Sequence, residues 1–291
     1  MIEAQSDTPS TSANSSRVPG QAGKPSAWSQ AFRRGIEAVG DFTLFALHAW
    51  GGLFRGHFSR LEWLRLAAEV GNASAPVVAI TGAFIGMVLA VQAYDQFHLI
   101  GMETSLGAVI HMSLVRELGP VLASVMVAGR VGSAMAAEIA TMRVSEQLDA
   151  LTCLGLDPVH YLVAPRLLAC LIMVPLLTVI ADLTGMIGST LICVGLYPID
   201  SFHYWRHTRE FVAAWDVLTG LAKAMVFGAT LCLLACHRGF HSQPGAAGVG
   251  RAATQAFVHA FVAILILDFF LAMFFNSLYA LLWPEAPHRL A

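Results

Sequence analysis

The sequence predicts an all-α polytopic membrane protein. Of its 291 residues, 56% are hydrophobic and only 12% are charged, whereas soluble domains typically carry about 25% charged residues. Several stretches exceed the roughly 18 apolar residues that indicate a transmembrane helix. The net charge of -2 gives no indication of a nucleic-acid partner, and none is expected.

The N-terminal part predicts a tail followed by an interfacial helix. Residues 1–27 are rich in Ser, Thr, Pro, Gly and Ala, a composition typical of disorder. In residues 28–56, apolar side chains such as Trp28, Phe32 and Ile36 recur at helical spacing, with arginines on the other side. We therefore expect a disordered tail and then an amphipathic helix that lies at the membrane interface.

Five apolar segments follow and predict five transmembrane helices. The second would be roughly 50 Å long as one continuous helix, which is longer than a bilayer core requires. We therefore expect this helix to be tilted, broken or extended beyond the membrane, and Pro120 is the candidate break, because proline interrupts helical hydrogen bonding. The five predicted spans cover residues 75–94, 106–140, 162–197, 217–236 and 256–283.

The basic residues predict the orientation of these spans. With the N-terminus in the cytoplasm, eleven Lys and Arg residues fall in cytoplasmic segments and three in periplasmic segments. An excess of basic residues marks the cytoplasmic side. We therefore expect a cytoplasmic N-terminus and a periplasmic C-terminus.

Seven ionisable side chains fall at membrane depth, where each charge costs at least about 2.5 kcal/mol. Since three are basic and four acidic, we expect ion pairs inside the bundle or a wet cavity. Arg116 and Glu117 are adjacent and point about 100° apart on a helix, so one of them needs another partner. That partner is either a residue of another helix or a polar group of a substrate. The seven are Arg116, Glu117, Arg130, Glu138, Asp182, Lys223 and Asp268.

The stretch between the second and third segments predicts a short helix over residues 145–155. Ser145 can cap its start, Glu146 would lie in the first turn, and Gly155 suits its end. At about 15 Å, this helix is too short to cross the membrane. Its acidic edge, Glu146 and Asp149, either faces solvent or docks into a basic groove of a cytoplasmic partner.

Two motifs are absent from the sequence and narrow the function. The chain contains no phosphate-binding loop G-x-x-x-x-G-K-[ST] and no H-E-x-x-H zinc motif. An ATP-driven mechanism would therefore need an ATPase on another chain. We expect no catalytic residue, no metal ligand and no cofactor in this chain.

Four stretches together resemble the MlaE-type permease family, the membrane subunits of ABC transporters that work with MCE proteins. They are FIGMVLAVQAY, the long block from Leu114 to Arg166, LAKAMVFG and GAAGVGRAATQAFV. The resemblance covers about residues 28–283 and assigns residues 28–291 to one permease domain. It implies an interfacial N-terminal helix, five spans, and a coupling helix between spans 2 and 3.

The resemblance also implies an assembly and an activity. The expected partners are a second copy of the chain, cytoplasmic ABC ATPase subunits that bind ATP and Mg, and a periplasmic MCE hexamer. A small STAS-domain regulator would bind the ATPase. The expected substrate is phospholipid or a related lipid, moved between the bacterial inner membrane and the MCE protein.

Site residues follow from the same resemblance. Leu89 and Phe97 would hold acyl chains, while Glu117 and Asp268 would hold cations that face a lipid phosphate. Glu146 and Asp149 would contact the ATPase. The complete set of expected substrate-binding residues is Leu89, Gln92, Phe97, Arg116, Glu117, Lys223 and Asp268.

The alternative reading of the same charges is an ion-coupled secondary transporter. Asp268, Lys223 and Glu117 would then form a proton relay, because intramembrane carboxylates serve either purpose. A lipid-modifying enzyme is a third reading, but the sequence carries no nucleophile or metal motif for it.

Overall fold

The computed structural model describes residues 27–55, 60–197 and 199–283. Within these ranges the chain is helical and contains no strand. Five helices are long and apolar enough to cross a membrane, which confirms the predicted fold class. Most of the predicted N-terminal tail and the last eight residues lie outside the described ranges.

The five long helices, called spans 1 to 5, connect through short segments. One of these segments contains a helix, Ser201–Phe211, which joins spans 3 and 4 and is called the connecting helix. The N-terminal helix, Ala27–Arg55, precedes the spans. The spans are Arg60–Leu99, Leu106–Val144, Pro158–Gly195, Ala214–Phe240 and Ala246–Leu282.

The chain divides at residue 42 into two compact units. In the described part of the first unit, residues 27–41, the N-terminal helix carries an ion pair between Arg33 Nε and Glu37 Oε1 at 2.9 Å. Ile36 and Val39 on the same helix are exposed. Exposed apolar side chains beside charged ones suit a helix at a membrane interface.

In the second unit, the remainder of the N-terminal helix is tied to the start of span 3. His48 Nε2 lies 2.6 Å from Asp157 Oδ2, and Asp157 Oδ1 accepts the backbone N–H of Val159 at 3.0 Å. Burial alone would raise the pKa of Asp157, but the Val159 N–H and the His48 ring hold that pKa below its usual value. Asp157 therefore caps span 3 and joins it to the N-terminal helix.

Spans 1 and 3 pack together through small residues. A Cβ on Gly86 would collide with the backbone of Gly185, and a Cβ on Gly188 would collide with Ala83. Small residues of this kind let helix backbones approach closely in lipid. The close contact makes spans 1 and 3 a scaffold against which the other spans are placed.

Span 2 is continuous, so the predicted break at Pro120 is wrong. The helix instead widens into two π-helical turns, Leu114–Leu118 and Ala128–Gly132. Proline lacks the N–H that the carbonyl of Arg116 would accept in an α-helix. The π-helical turn before Pro120 absorbs that defect, and such turns are frequent at functional sites.

The short helix between spans 2 and 3 runs over Gln147–Cys153, and its predicted cap is wrong. The hydroxyl of Ser145 donates to the carbonyl of Thr141 at 2.9 Å, within the preceding helix. Glu146 takes the cap position with φ 60 and makes no side-chain cap bond. The chain turns sharply between the two helices, and Glu146 provides the turn by adopting the left-handed conformation.

Candidate functional site

Three of the predicted site residues form one cluster between spans 2, 4 and 5. Lys223 Nζ donates to Glu117 Oε2 and, at 3.0 Å, to Asp268 Oδ1. The side chain of Lys223 is 2% exposed, against 43% for Glu117 and 22% for Asp268. We call these three residues the charge cluster. A buried ammonium group held by two carboxylates is the arrangement that offsets its loss of hydration.

Local packing explains why these side chains meet. Gly220 lies against the carbonyl of Val115, where a Cβ would collide. Lys223 follows Gly220 by one helical turn and therefore reaches Glu117 on the neighbouring span. Glu117 itself lies in the π-helical turn of span 2.

Arg116 does not join the charge cluster. Its Nε lies 3.6 Å from Asp216 Oδ1, and its side chain is 23% exposed. Asp216 Oδ2 also accepts the backbone N–H of Ala213 at 2.9 Å, at the start of span 4. Sequence reasoning missed Asp216, although an acidic residue in the first turn of a helix is a recognisable signal.

Asp182 lies beside the same π-helical turn. It is 6% exposed, and a Cβ on Gly119 would collide with its carboxylate. Among the described residues, Asp182 Oδ1 has no hydrogen-bond partner. Asp182 is one of the seven charges predicted at membrane depth, and it is a buried residue of span 3.

The apolar site residues lie in a separate hydrophobic cluster. Leu89 and Phe97 are partly buried against Leu106 and Tyr204, whereas Gln92 is exposed. Leu114, at the start of the π-helical turn, belongs to the same cluster. The same π-helical turn therefore contributes Leu114 to the hydrophobic cluster and Glu117 to the charge cluster.

Buried hydrogen-bonding contacts of His111 join the connecting helix to spans 2 and 3. His111 Nε2 lies 3.1 Å from Ser189 Oγ and 3.1 Å from the hydroxyl of Tyr204. Burial raises the pKa of the Tyr204 hydroxyl, so it remains a neutral hydrogen-bonding group. These contacts join spans 2 and 3 to the connecting helix.

The predicted coupling residues lie on the surface. Glu146 and Asp149 are both exposed, and neither has an ion-pair partner among the described residues. Leu148 is buried, whereas Leu154 is 76% exposed. The short helix therefore presents two carboxylates and an apolar side chain outward.

Three side chains where the N-terminal helix meets span 3 have a spacing that could suit a metal ion. Donor atoms of His48, Asp157 and His160 lie within 4.8 Å of one another. His160 Nδ1 lies 3.3 Å from Asp157 Oδ2, so these groups already interact directly. We assign them to the junction between the N-terminal helix and span 3.

Five apolar spans with ion pairs buried among them are typical of a polytopic membrane protein. Comparison with known proteins is more specific. The family model described as "Permease MlaE" matches residues 63–274. The chain belongs to the MlaE permease family.

Relatives in several organisms agree with this assignment. A "Probable ABC transporter permease protein" of Rickettsia felis is 44% identical over 241 residues, covering 82% of this chain and 92% of the relative. The "Intermembrane phospholipid transport system permease protein MlaE" of Haemophilus influenzae is 35% identical, over 82% of this chain and 91% of the relative. "Protein TRIGALACTOSYLDIACYLGLYCEROL 1, chloroplastic" of Arabidopsis thaliana is 37% identical, over 74% of this chain and 63% of the relative. The chain is thus an ABC transporter permease of this family, which indicates a transporter rather than an enzyme.

Proposed function

We propose that this chain is the membrane subunit of an ATP-driven transporter that moves phospholipid or a related lipid between the inner membrane and a periplasmic MCE protein. The similarity to the Haemophilus influenzae phospholipid permease supports the substrate class. The observation that carries the site assignment is the contrast between Arg116 and Lys223.

Arg116 is the better placed cation for a lipid phosphate. Its one ion pair among the described residues is long, at 3.6 Å, and its side chain is partly exposed. Guanidinium groups suit phosphate because they donate in a fork that matches its oxygens. Lys223 is buried and held by two carboxylates, so it becomes available only when one of them moves.

The charge cluster then keeps the transport cavity in its resting state. Glu117 and Asp268 hold Lys223 in the resting arrangement, and a lipid phosphate replaces one carboxylate when the spans rearrange. Leu89 and Phe97 provide the apolar surface for acyl chains, with Gln92 at its edge. The π-helical turn, Leu114–Leu118, contributes residues to both surfaces.

The short helix is the proposed contact with the motor. Exposed Glu146 and Asp149 would dock into a basic groove of a cytoplasmic ABC ATPase, which binds ATP and Mg. The proposed assembly contains two copies of this chain, the ATPase subunits with a STAS-domain regulator, and an MCE hexamer. We place it in the bacterial inner membrane, with the N-terminus cytoplasmic and the C-terminus periplasmic.

Charge reversal tests the coupling assignment. The double variant Glu146→Lys/Asp149→Lys should fold normally but lose ATPase association and lipid transfer when co-purified with the ATPase. Glu210→Lys, an exposed acid on the connecting helix, is the matched control and should retain both. Unchanged association in the double variant would refute the coupling assignment.

Lipid occupancy tests the cavity. Arg116→Gln should lower the amount of co-purified phospholipid, measured by mass spectrometry, by about tenfold, because hydrogen bonds to charged groups contribute about 1.5–3 kcal/mol. Arg143→Gln, an exposed arginine later in span 2, should leave occupancy unchanged. Equal occupancy in Arg116→Gln and the parent chain would contradict the phosphate role.

The second candidate is the ion-coupled secondary transporter. Buried Asp182, with an unpaired carboxylate oxygen next to the π-helical turn, favours it, as does the charge cluster itself. Such a transporter would move its substrate without ATP and would stop when the proton gradient is abolished.

A further inference from the structure

A small cavity lies between spans 1, 2 and 3, apart from the charge cluster. Its volume is about 180 Å³. Four charged side chains line it, and the rest of its lining is mainly apolar, including Leu66. The charged residues are Glu69, Arg130, Glu138 and Arg166. We call this space the arginine pocket.

Arg166 forms the buried wall of the arginine pocket. Its side chain is 5% exposed, and its Nη2 lies 2.9 Å from Glu138 Oε2 in an ion pair. Its Nε and Nη1 are buried and have no hydrogen-bond partner among the described residues. Each such donor costs about 1–3 kcal/mol when left unpaired. Two unpaired donors on one buried guanidinium group at the wall of a cavity favour an anionic ligand in that cavity.

Arg130 supplies a second cation at the rim. It lies in the second π-helical turn, Ala128–Gly132, and is exposed. Among the described residues it has no ion-pair partner. Two guanidinium groups in one small cavity suit the bidentate recognition of a phosphate group.

The two carboxylates of the arginine pocket indicate which phosphate-containing ligand would fit it. Glu69 is exposed, and Glu138 pairs with Arg166 through one of its two carboxylate oxygens. Two acids beside two arginines leave the arginine pocket neutral overall, so a purely anionic ligand would gain little from the whole set. A ligand that carries both a phosphate and an ammonium group satisfies both kinds of side chain.

We propose that the arginine pocket binds the zwitterionic headgroup of a phospholipid such as a phosphatidylethanolamine. The phosphate contacts Arg166 and Arg130, the ammonium contacts Glu69, and the apolar lining near Leu66 receives the start of an acyl chain. Arg130 follows Glu117 by thirteen residues, which is about 20 Å along the helix. The arginine pocket is therefore a second lipid site, and only its choice of ligand class rests on the proposed function.

Calorimetric titration of the full-length chain in detergent tests this site. All titrations use the Arg116→Gln background, in which the proposed transport cavity contributes least. The probes are short-chain phosphatidylethanolamine, short-chain phosphatidylglycerol and inorganic phosphate. We expect phosphatidylethanolamine to bind most tightly. A negative result at the arginine pocket would therefore leave the proposed function standing. A failure of the proposed function would likewise leave binding at the arginine pocket standing.

Three variants separate the contributions. Arg166→Lys keeps a cation beside Glu138 but removes the guanidinium fork, and it should weaken phosphatidylethanolamine binding by about tenfold or more. Arg130→Gln should also weaken phosphatidylethanolamine binding. Glu69→Gln should weaken binding of phosphatidylethanolamine but not of phosphatidylglycerol. Arg143→Gln is the matched control and should bind like the parent.

Each alternative outcome overturns the proposal in a defined way. Binding of inorganic phosphate as tight as that of the lipid would show a site for free phosphate. Equal affinity of Arg166→Lys, Arg130→Gln and the parent would show that lipid binds elsewhere. Thermal unfolding of each variant checks that the fold is retained, and the exposed positions Arg130 and Glu69 carry the test if Arg166→Lys unfolds.

Discussion

The charge cluster and the short helix both carry acidic residues, but they hold them in opposite ways. In the cluster, Glu117 and Asp268 share a lysine that is 2% exposed. On the short helix, Glu146 and Asp149 are exposed and pair with no cation among the described residues. Acids that are satisfied within the chain stabilise its own spans, whereas acids left unsatisfied on a protruding helix are available to another protein. The difference separates acids that are paired inside the permease from acids that we propose to contact the ATPase.

Removing the cation should break the charge cluster and produce the largest effect. Lys223→Met leaves two carboxylates facing each other, and breaking a buried ion pair costs about 3–5 kcal/mol. Because Glu117 is 43% exposed, we expect a loss near 3 kcal/mol, the lower end of that range. Thermal unfolding in detergent measures it. The triple variant Lys223→Met/Glu117→Gln/Asp268→Asn should recover most of the loss, and a single variant as stable as the parent would contradict the account.

Separating spans 2 and 4 should loosen the cluster without removing any charge. In Gly220→Ala, the new methyl group collides with the carbonyl of Val115. Overpacking of this kind costs about 1–3 kcal/mol. Gly250→Ala in span 5 meets open space and should be neutral or slightly stabilising. Equal unfolding temperatures of the two variants would show that the close contact is unimportant.

Relaxing the short helix should give the smallest effect. Glu146 has φ 60, a conformation that costs a non-glycine residue about 1–2 kcal/mol. Glu146→Gly removes that strain and the carboxylate together, so stability should rise slightly while ATPase association weakens. Glu146→Gln keeps the strain and should weaken association alone. If Glu146→Gly destabilised the chain, the side chain of Glu146 would support its own helix after all.

Periodicity and composition were sufficient to predict the class of fold. Long apolar segments give a strong signal, because the bilayer requires about 20 apolar residues for each span. The segment ends were less predictable. Span 1 begins at Arg60 rather than near residue 75, because the helix continues beyond the apolar stretch into charged sequence.

The partners of the buried charges depended on packing that the sequence does not display. The sequence suggested that Glu117 and Asp268 hold cations, but Lys223 reaches both only because Gly220 permits spans 2 and 4 to touch. The pairing of Arg116 with Asp216 likewise joins spans 2 and 4. No local pattern encodes the π-helical turns of span 2, which set the direction of Glu117 and Arg130.

The central claim is that ATP hydrolysis by a partner drives lipid through this chain. The most direct measurement is lipid transfer from proteoliposomes that contain the chain, its ATPase and the MCE protein, with ATP and with a proton ionophore in separate assays. The account predicts transfer that requires ATP, persists with the ionophore and is lost in Glu146→Lys/Asp149→Lys. Transfer that continues without ATP and stops with the ionophore would contradict it.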